Sequence, residues 1–204
     1  MSTPLPLGPL KRFGILGGSF NPVHVGHLSI AQQVLNALKL ERVFLMPAAL
    51  PPHKQGDREL AAPEDRLAMC RLAVRHLHGL DVSALELRRQ GPNYTVDTAR
   101  ELRAAYGPAA EIRFLIGSDS LADLPTWREV QELLRLADFA VAARRETPLN
   151  AELWGKLSAE LGREAAAKLQ RSVVEIERVD VSSSLVRRLL RTGQHLRGYL
   201  RRDV

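Results

Sequence analysis

"GILGGSFNPVHVGHLSIAQQ", residues 14–33, joins an apolar run to a helical pattern through two glycines and two histidines. The run that ends at Gly17 reads as a buried strand. From about Val25 to Lys39, Leu28, Ala31, Val34, Leu35 and Leu38 recur at helical spacing. A strand that turns at once into a helix delivers its last residues to the carboxyl edge of a sheet, where ligands bind in open α/β folds. Glycines there let a phosphate approach the backbone, and the helix N-terminus favours its negative charge. His24 and His27 share one face of the first helical turn. Imidazoles so placed can donate hydrogen bonds to phosphate oxygens and offset charge that grows in a transition state. Taken singly, a Gly-Gly is a turn and a histidine at a helix start is structural; the combination is what points to chemistry. Neither G-x-G-x-x-G nor Gly-Lys-Ser/Thr is present, so the stretch is neither a dinucleotide fingerprint nor a P-loop. A metal site is not indicated, because no compact third and fourth ligands accompany the histidines.

Strand and helix alternate along the rest of the chain. "RVFLMP" (42–47), "EIRFLIG" (111–117) and "DFAVAAR" (138–144) read as short buried strands. "LDVSALELRR" (80–89) alternates as a strand should, and "SVVEIERVDV" (172–181) is a last extended piece. Helices are expected in "APEDRLAMCRLAVRHL" (62–77), in "NYTVDTARELRAAYG" (93–107) up to Gly107, and in "SSLVRRLLRTG" (183–193). "NAELWGKLSAELGREAAAKLQ" (150–170) reads as a peripheral helix or helix pair, and "ALPPHKQGD" (49–57) as a loop. This order predicts an α/β domain, a parallel sheet covered by helices on both faces. Residues 1–11 are expected to be a disordered tail, and 12–204 one domain.

Composition limits the partners. Apolar residues make up 45% and charged residues 25%, as in an ordinary globular protein. No apolar run approaches the length of a membrane span, and the N-terminus has no signal-peptide core. The one cysteine, Cys70, lies in an apolar helical pattern, which excludes a disulfide framework and suits a cytoplasmic protein and a core role. A net charge of +6 suits an anionic partner, nucleic acid or a phosphorylated small molecule.

Five stretches in order now carry a resemblance: "GGSFNPVHVGHL" (17–28), "PPHK" (51–54), "GPNYTVDT" (91–98), "IGSDSLADLPTW" (116–127) and "VSSSLVRRLL" (181–190). Together they resemble the HxGH nucleotidyltransferase superfamily, and closely its bacterial nicotinate-nucleotide adenylyltransferases. Val181, Ser184 and Val186 are mild departures from the family's Ile-Ser-Ser-Thr-x-Ile-Arg signature, and the chain stops at "LRGYLRRDV" where relatives carry a further segment. The resemblance implies a doubly wound, Rossmann-like nucleotidyltransferase fold. It also implies adenylyl transfer from ATP, carried with Mg²⁺, to the 5′-phosphate of nicotinate mononucleotide in NAD synthesis.

By this resemblance Gly17, Gly18, Ser19 and Phe20 line the nucleotide cleft, and His24 and His27 hold the ATP phosphates. Ser182 and Ser183 start the last helix, where plain N-capping is the alternative. Arg187, one turn in, meets the β- and γ-phosphates, while Arg188 faces solvent. Asp119 is assigned a ribose contact, with a helix cap as its alternative. Lys54 is aimed at a phosphate by the rigid proline pair before it. Tyr94 and Thr95 stand near the nicotinate half, and Trp127 stacks on the pyridine ring. Arg144 or Arg145 approaches a phosphate. No dedicated protein metal site is implied.

Other readings stay open here: a nicotinamide mononucleotide or pantetheine-phosphate adenylyltransferase, a cytidylyltransferase, or a non-catalytic nucleotide sensor. The chain lacks the length and tRNA-binding domain of a class I aminoacyl-tRNA synthetase. A basic nucleic-acid-binding protein has only the charge in its favour, without interleaved aromatics.

Overall fold

The computed structural model describes residues 10–50, 59–144, 149–177, 179–201 and 204. Lys54, Arg145 and the side chain of Arg144 lie outside these residues, as does most of the N-terminal tail.

Six strands, β1 (Arg12–Gly18), β2 (Arg42–Pro47), β3 (Leu80–Val82), β4 (Glu111–Gly117), β5 (Asp138–Arg144) and β6 (Val173–Ile176), form one sheet in the order β3-β2-β1-β4-β5-β6. Every neighbouring pair is parallel. Among the described residues eight α-helices join or flank them: α1 (Val25–Ala37), α2 (Pro63–Val74), α3 (Thr95–Tyr106), α4 (Ser118–Leu121), α5 (Val130–Leu136), α6 (Ala151–Leu161), α7 (Arg163–Arg171) and, after β6, α8 (Ser183–Arg191).

The strands read as continuous apolar runs because both faces are covered. Their period of two splits those runs into two cores. Phe13 and Ile15 of β1 join Phe44, Met46, Phe114 and Phe139 beneath α3, α5, α6 and α7. Leu16 joins Val43, Leu45, Leu115 and Ala140 beneath α1 and α2. Cys70 belongs to this second core, fully buried, and burial pushes its thiol up to about 12. It is a core residue.

One local expectation changes, and one is narrowed to the second of its two options. The alternating 80–89 segment is a strand only over its first three residues; Ser83 Oγ then accepts the N–H of Leu85 (3.1 Å), and a 3₁₀ turn follows at Glu86–Arg88. A side-chain acceptor next to the backbone here outcompetes the ladder. The Ala-rich 150–170 segment is a helix pair, broken at Gly162 with φ +94°.

Candidate active site

β1 and β4 are neighbours, yet the chain leaves β1 toward one side of the sheet and β4 toward the other. The order reverses between them, which opens a crevice beyond their carboxyl ends. A cleft of about 390 Å³ lies there. Gly17, Gly18 and Ser19 line it from β1, Gly117 and Ser120 from β4, and Asn93, Tyr94 and Thr95 from the start of α3. Thr126, Trp127 and Arg128 complete the wall. Four distant sequence stretches therefore meet around one cavity. A Cβ at Gly17 would meet no protein atom within 4 Å, so packing does not require this glycine and its missing side chain leaves the cleft open.

Trp127 is half-buried, packs edge-on toward Phe139 (6.3 Å between centroids) and shows the rest of its ring to the cleft. Tyr94 caps α3 by backbone geometry and Thr95 is its first residue, so both stand at a helix N-terminus facing the cleft. Asn93, buried, fixes this corner: its Oδ1 accepts from the Leu50 N–H (3.0 Å) and its Nδ2 donates to the Glu86 carbonyl (3.0 Å).

The histidines follow at the start of α1 and are not among the residues that line this cleft. His24 is the N-cap of α1 and His27 lies three residues on. Their rings stack at 3.7 Å between centroids, 25° apart. The backbone N–H of His24 donates to His27 Nδ1 (3.2 Å), which leaves the His27 proton on Nε2, available as a donor. Burial lowers both from the ordinary imidazole value, His24 to about 4 and His27 to about 3, the latter also opposed by charge on His24. Both rings are neutral at pH 7. Phe20 is not at the cleft: it is 1% exposed and its ring meets His27 edge-on at 5.0 Å, so it backs the histidine.

α8 is tied to the loop after β1, and none of its residues lines the cleft. Ser182 caps it by accepting the Leu185 N–H (3.1 Å), and Ser183 Oγ donates to the Pro22 carbonyl (2.9 Å). Arg187 donates to the Asn21 carbonyl (2.9 Å) and pairs with Glu59 at 3.5 Å. The bonds to the Pro22 and Asn21 carbonyls join the last motif to the loop of the first, across more than 160 residues. Gly26 shows why a glycine stands between the two histidines: a Cβ there would lie 2.9 Å from Val181 Cγ1. Asp119 lies inside α4, whose N-cap is Gly117; its Oδ1 accepts the Ser120 N–H (3.0 Å) and bends back over Gly117, so it is not the helix cap, and its side chain does not line the cleft. Arg188 is exposed.

Sequence reasoning missed Arg66, Arg128 and Glu86. Arg66 is fully buried and donates to the carbonyls of Ser19 (2.7 Å), Ala61 (2.9 Å) and Ala49 (3.1 Å). Its signal was visible: Arg66 falls with Cys70 and Ala73 on the apolar stripe of α2, where an arginine is out of place unless it has buried acceptors.

The cytidylyltransferase-like family model matches residues 15–189. A protein of Symbiobacterium thermophilum named "Probable nicotinate-nucleotide adenylyltransferase" is 42% identical over 92% of this chain and 88% of its own length. A protein of the same name from Enterococcus faecalis is 35% identical over 98% of this chain and 84% of its own length. Among solved structures, Plasmodium falciparum nicotinic acid mononucleotide adenylyltransferase complexed with APC overlays with a TM-score of 0.70 at 16% identity. That overlay covers 94% of this chain and 91% of that one, and speaks to the fold.

Proposed function

Because the chain belongs to the cytidylyltransferase-like family, and within it to the nicotinate-nucleotide adenylyltransferases, we propose that it transfers the adenylyl group of ATP to nicotinate mononucleotide in NAD synthesis. The acceptor's 5′-phosphate oxygen attacks the α-phosphorus of ATP. The bond from that phosphorus to the bridging oxygen breaks, and pyrophosphate leaves with the electron pair. The products are nicotinate adenine dinucleotide and pyrophosphate. The attacking phosphate is already ionised at neutral pH, so no protein nucleophile or base is needed. Positioning and charge stabilisation are the catalytic tasks.

The observation that supports the reading is a glycine-lined cleft at the end of β1, followed directly in the chain by a stacked, neutral histidine pair at the N-terminus of α1. His24 and His27 donate to the ATP phosphates and stabilise charge that develops on them. Arg187 and the amides at the start of α8 take the β- and γ-phosphates. Gly17, Gly18 and Ser19 give close backbone approach, and Ser182 and Ser183 hold α8 where that is possible. Tyr94, Thr95 and Trp127 form the acceptor half, with the indole against the pyridine ring. Lys54 belongs to the same reading as a phosphate contact, and Asp119 as a ribose contact if its carboxylate turns from Ser120. Mg²⁺ arrives bound to ATP and neutralises part of its charge. Among the described residues no group of three His, Cys, Asp or Glu side chains is placed to hold a metal ion. ATP and pyridine mononucleotides are intracellular metabolites, which fits a cytoplasmic site of action. Among the described residues no helix is long and apolar enough to cross a membrane.

The test is pyrophosphate release from Mg·ATP with nicotinate or nicotinamide mononucleotide as acceptor. Release with a strong preference for the acid is expected. No release with either refutes the reading.

A further inference from the structure

Nicotinate and nicotinamide have nearly the same shape and differ by one negative charge. A site that prefers the acid must therefore present a cation or well-aimed N–H donors. Among the described residues that line the cleft, one carries a positive charge, Arg128, and one can carry a negative charge at neutral pH, Glu86.

Glu86 does not favour an acidic ring. It is 8% exposed, and its Oε1 accepts from Thr98 Oγ1 at 2.6 Å. Thr98 is in turn held by Arg89 (2.8 Å). Burial raises its pKa above the ordinary carboxylate range, and its hydrogen bond to Thr98 ties the 3₁₀ turn to α3. A charged Glu86 would repel a carboxylate in the same cleft.

Arg128 is built differently. Its guanidinium carbon lies 4.7 Å from the centroid of the Tyr94 ring, at the cleft wall next to Trp127. Its Nε pairs with Glu129 at 3.2 Å, and 55% of its side chain is exposed. The backbone around it is held firmly. Trp127 N–H donates to the Leu124 carbonyl (3.0 Å), and Glu129, in the left-handed region at φ +50°, is gripped by Arg100 together with Glu132. Arg100 is shared by Asp97, Glu129 and Glu132, so the pair Arg128 makes with Glu129 is a half-exposed contact that competes with, but does not block, a new anion. A flat guanidinium lying on Tyr94 is also pre-organised to meet a carboxylate side by side.

We propose that Arg128, poised on Tyr94 beside Trp127 at the wall of the cleft, pairs with the pyridine carboxylate and sets the preference for the acid over the amide. This rests on the adenylyl-transfer reading above. The rival task for Arg128 is the acceptor's 5′-phosphate, which both substrates share.

The test compares kcat/KM for nicotinate and nicotinamide mononucleotide in the parent protein, R128Q and R128K. R128Q removes the charge and leaves a shorter side chain that can still donate a hydrogen bond. The acid-to-amide ratio is expected to fall about ten- to a hundredfold in R128Q, the scale of one charged hydrogen-bonded contact, and to recover in part in R128K. Thermal unfolding of R128Q within a few degrees of the parent separates this from a folding defect. An equal loss on both substrates, or an unchanged ratio, overturns the assignment while leaving adenylyl transfer intact. A parent protein inactive with both acceptors refutes the underlying reading and the assignment with it.

Discussion

Replacing Arg66 with Met tests whether one buried guanidinium holds the glycine loop in place. The side chain is 0% exposed and donates from Nη1 to Ser19, from Nε to Ala61 and from Nη2 to Ala49, at 2.7, 2.9 and 3.1 Å. Those carbonyls belong to the loop after β1, the loop after β2 and the approach to α2, so one planar fork ties three segments. Met fills a similar volume with no donors and leaves three part-buried carbonyls without this partner. Each unpaired group costs about 1–3 kcal/mol. Relief from burying the Arg66 charge offsets part of this, and a net loss of about 3–5 kcal/mol is expected, the usual scale for breaking a buried ionic network. At about 2–4 °C per kcal/mol for a chain of this size, Tm falls by about 6–20 °C. Because Ser19 lines the cleft, KM for both substrates should rise well below the new Tm. R66K supplies a charge but not the fork, and should recover only a small part of either loss. Calorimetric melting together with pyrophosphate-release kinetics reads both quantities. A Tm drop under about 2 °C in R66M, or full rescue by R66K, would refute the reasoning.

His27→Ala should lower kcat about 100- to 1000-fold, as loss of one transition-state donor does, with mononucleotide binding by calorimetry retained. Near-parental turnover would contradict its role. Trp127→Ala removes a ring worth about 1–3 kcal/mol of stacking, so KM for the mononucleotide should rise about 5- to 150-fold and that for ATP much less; equal effects would leave Trp127 only its packing on Phe139. Stability should also depend on pH in a stated direction. The folded His24 and His27 titrate at about 4 and about 3, whereas unfolded histidine titrates at about 6.5. The unfolded chain therefore takes up protons first, and the fold loses stability as pH falls from about 7 to 5. In urea unfolding, H24N/H27N should lose less over that window than the parent, and an identical slope in both would count against buried neutral rings.

Much of the alternation of strand and helix was legible along the chain because most strands are short apolar runs and most longer helices show a stripe; the short helices α4 and α5 between β4 and β5 were not read from it. Where local chemistry competed with a pattern, the pattern misled: the 80–89 segment alternates, but Ser83 takes a backbone N–H and turns the chain into a 3₁₀ turn. His24 and His27 could be paired by spacing alone, since three residues in a helical first turn share a face. Their stacking and neutrality could not, because both arise from burial between Phe20 and neighbouring elements. Phe20 reads like a cleft residue within its motif, yet only packing reveals that it stands behind His27.

Local residue chemistry, then, was enough for the element types, the glycine opening at the end of β1 and the helix-start histidines, because these depend on neighbours a few residues away. Tertiary structure decided what depends on distant partners. It brought Pro22 and Asn21 to Ser183 and Arg187, and it put Val181 against Gly26, where a larger residue has no room. It gave Arg66 three carbonyls from three loops and laid Arg128 on Tyr94 at the cleft wall. Long side chains such as arginine reach across elements, so their partners are set by how the layers pack and not by the residues beside them in the chain.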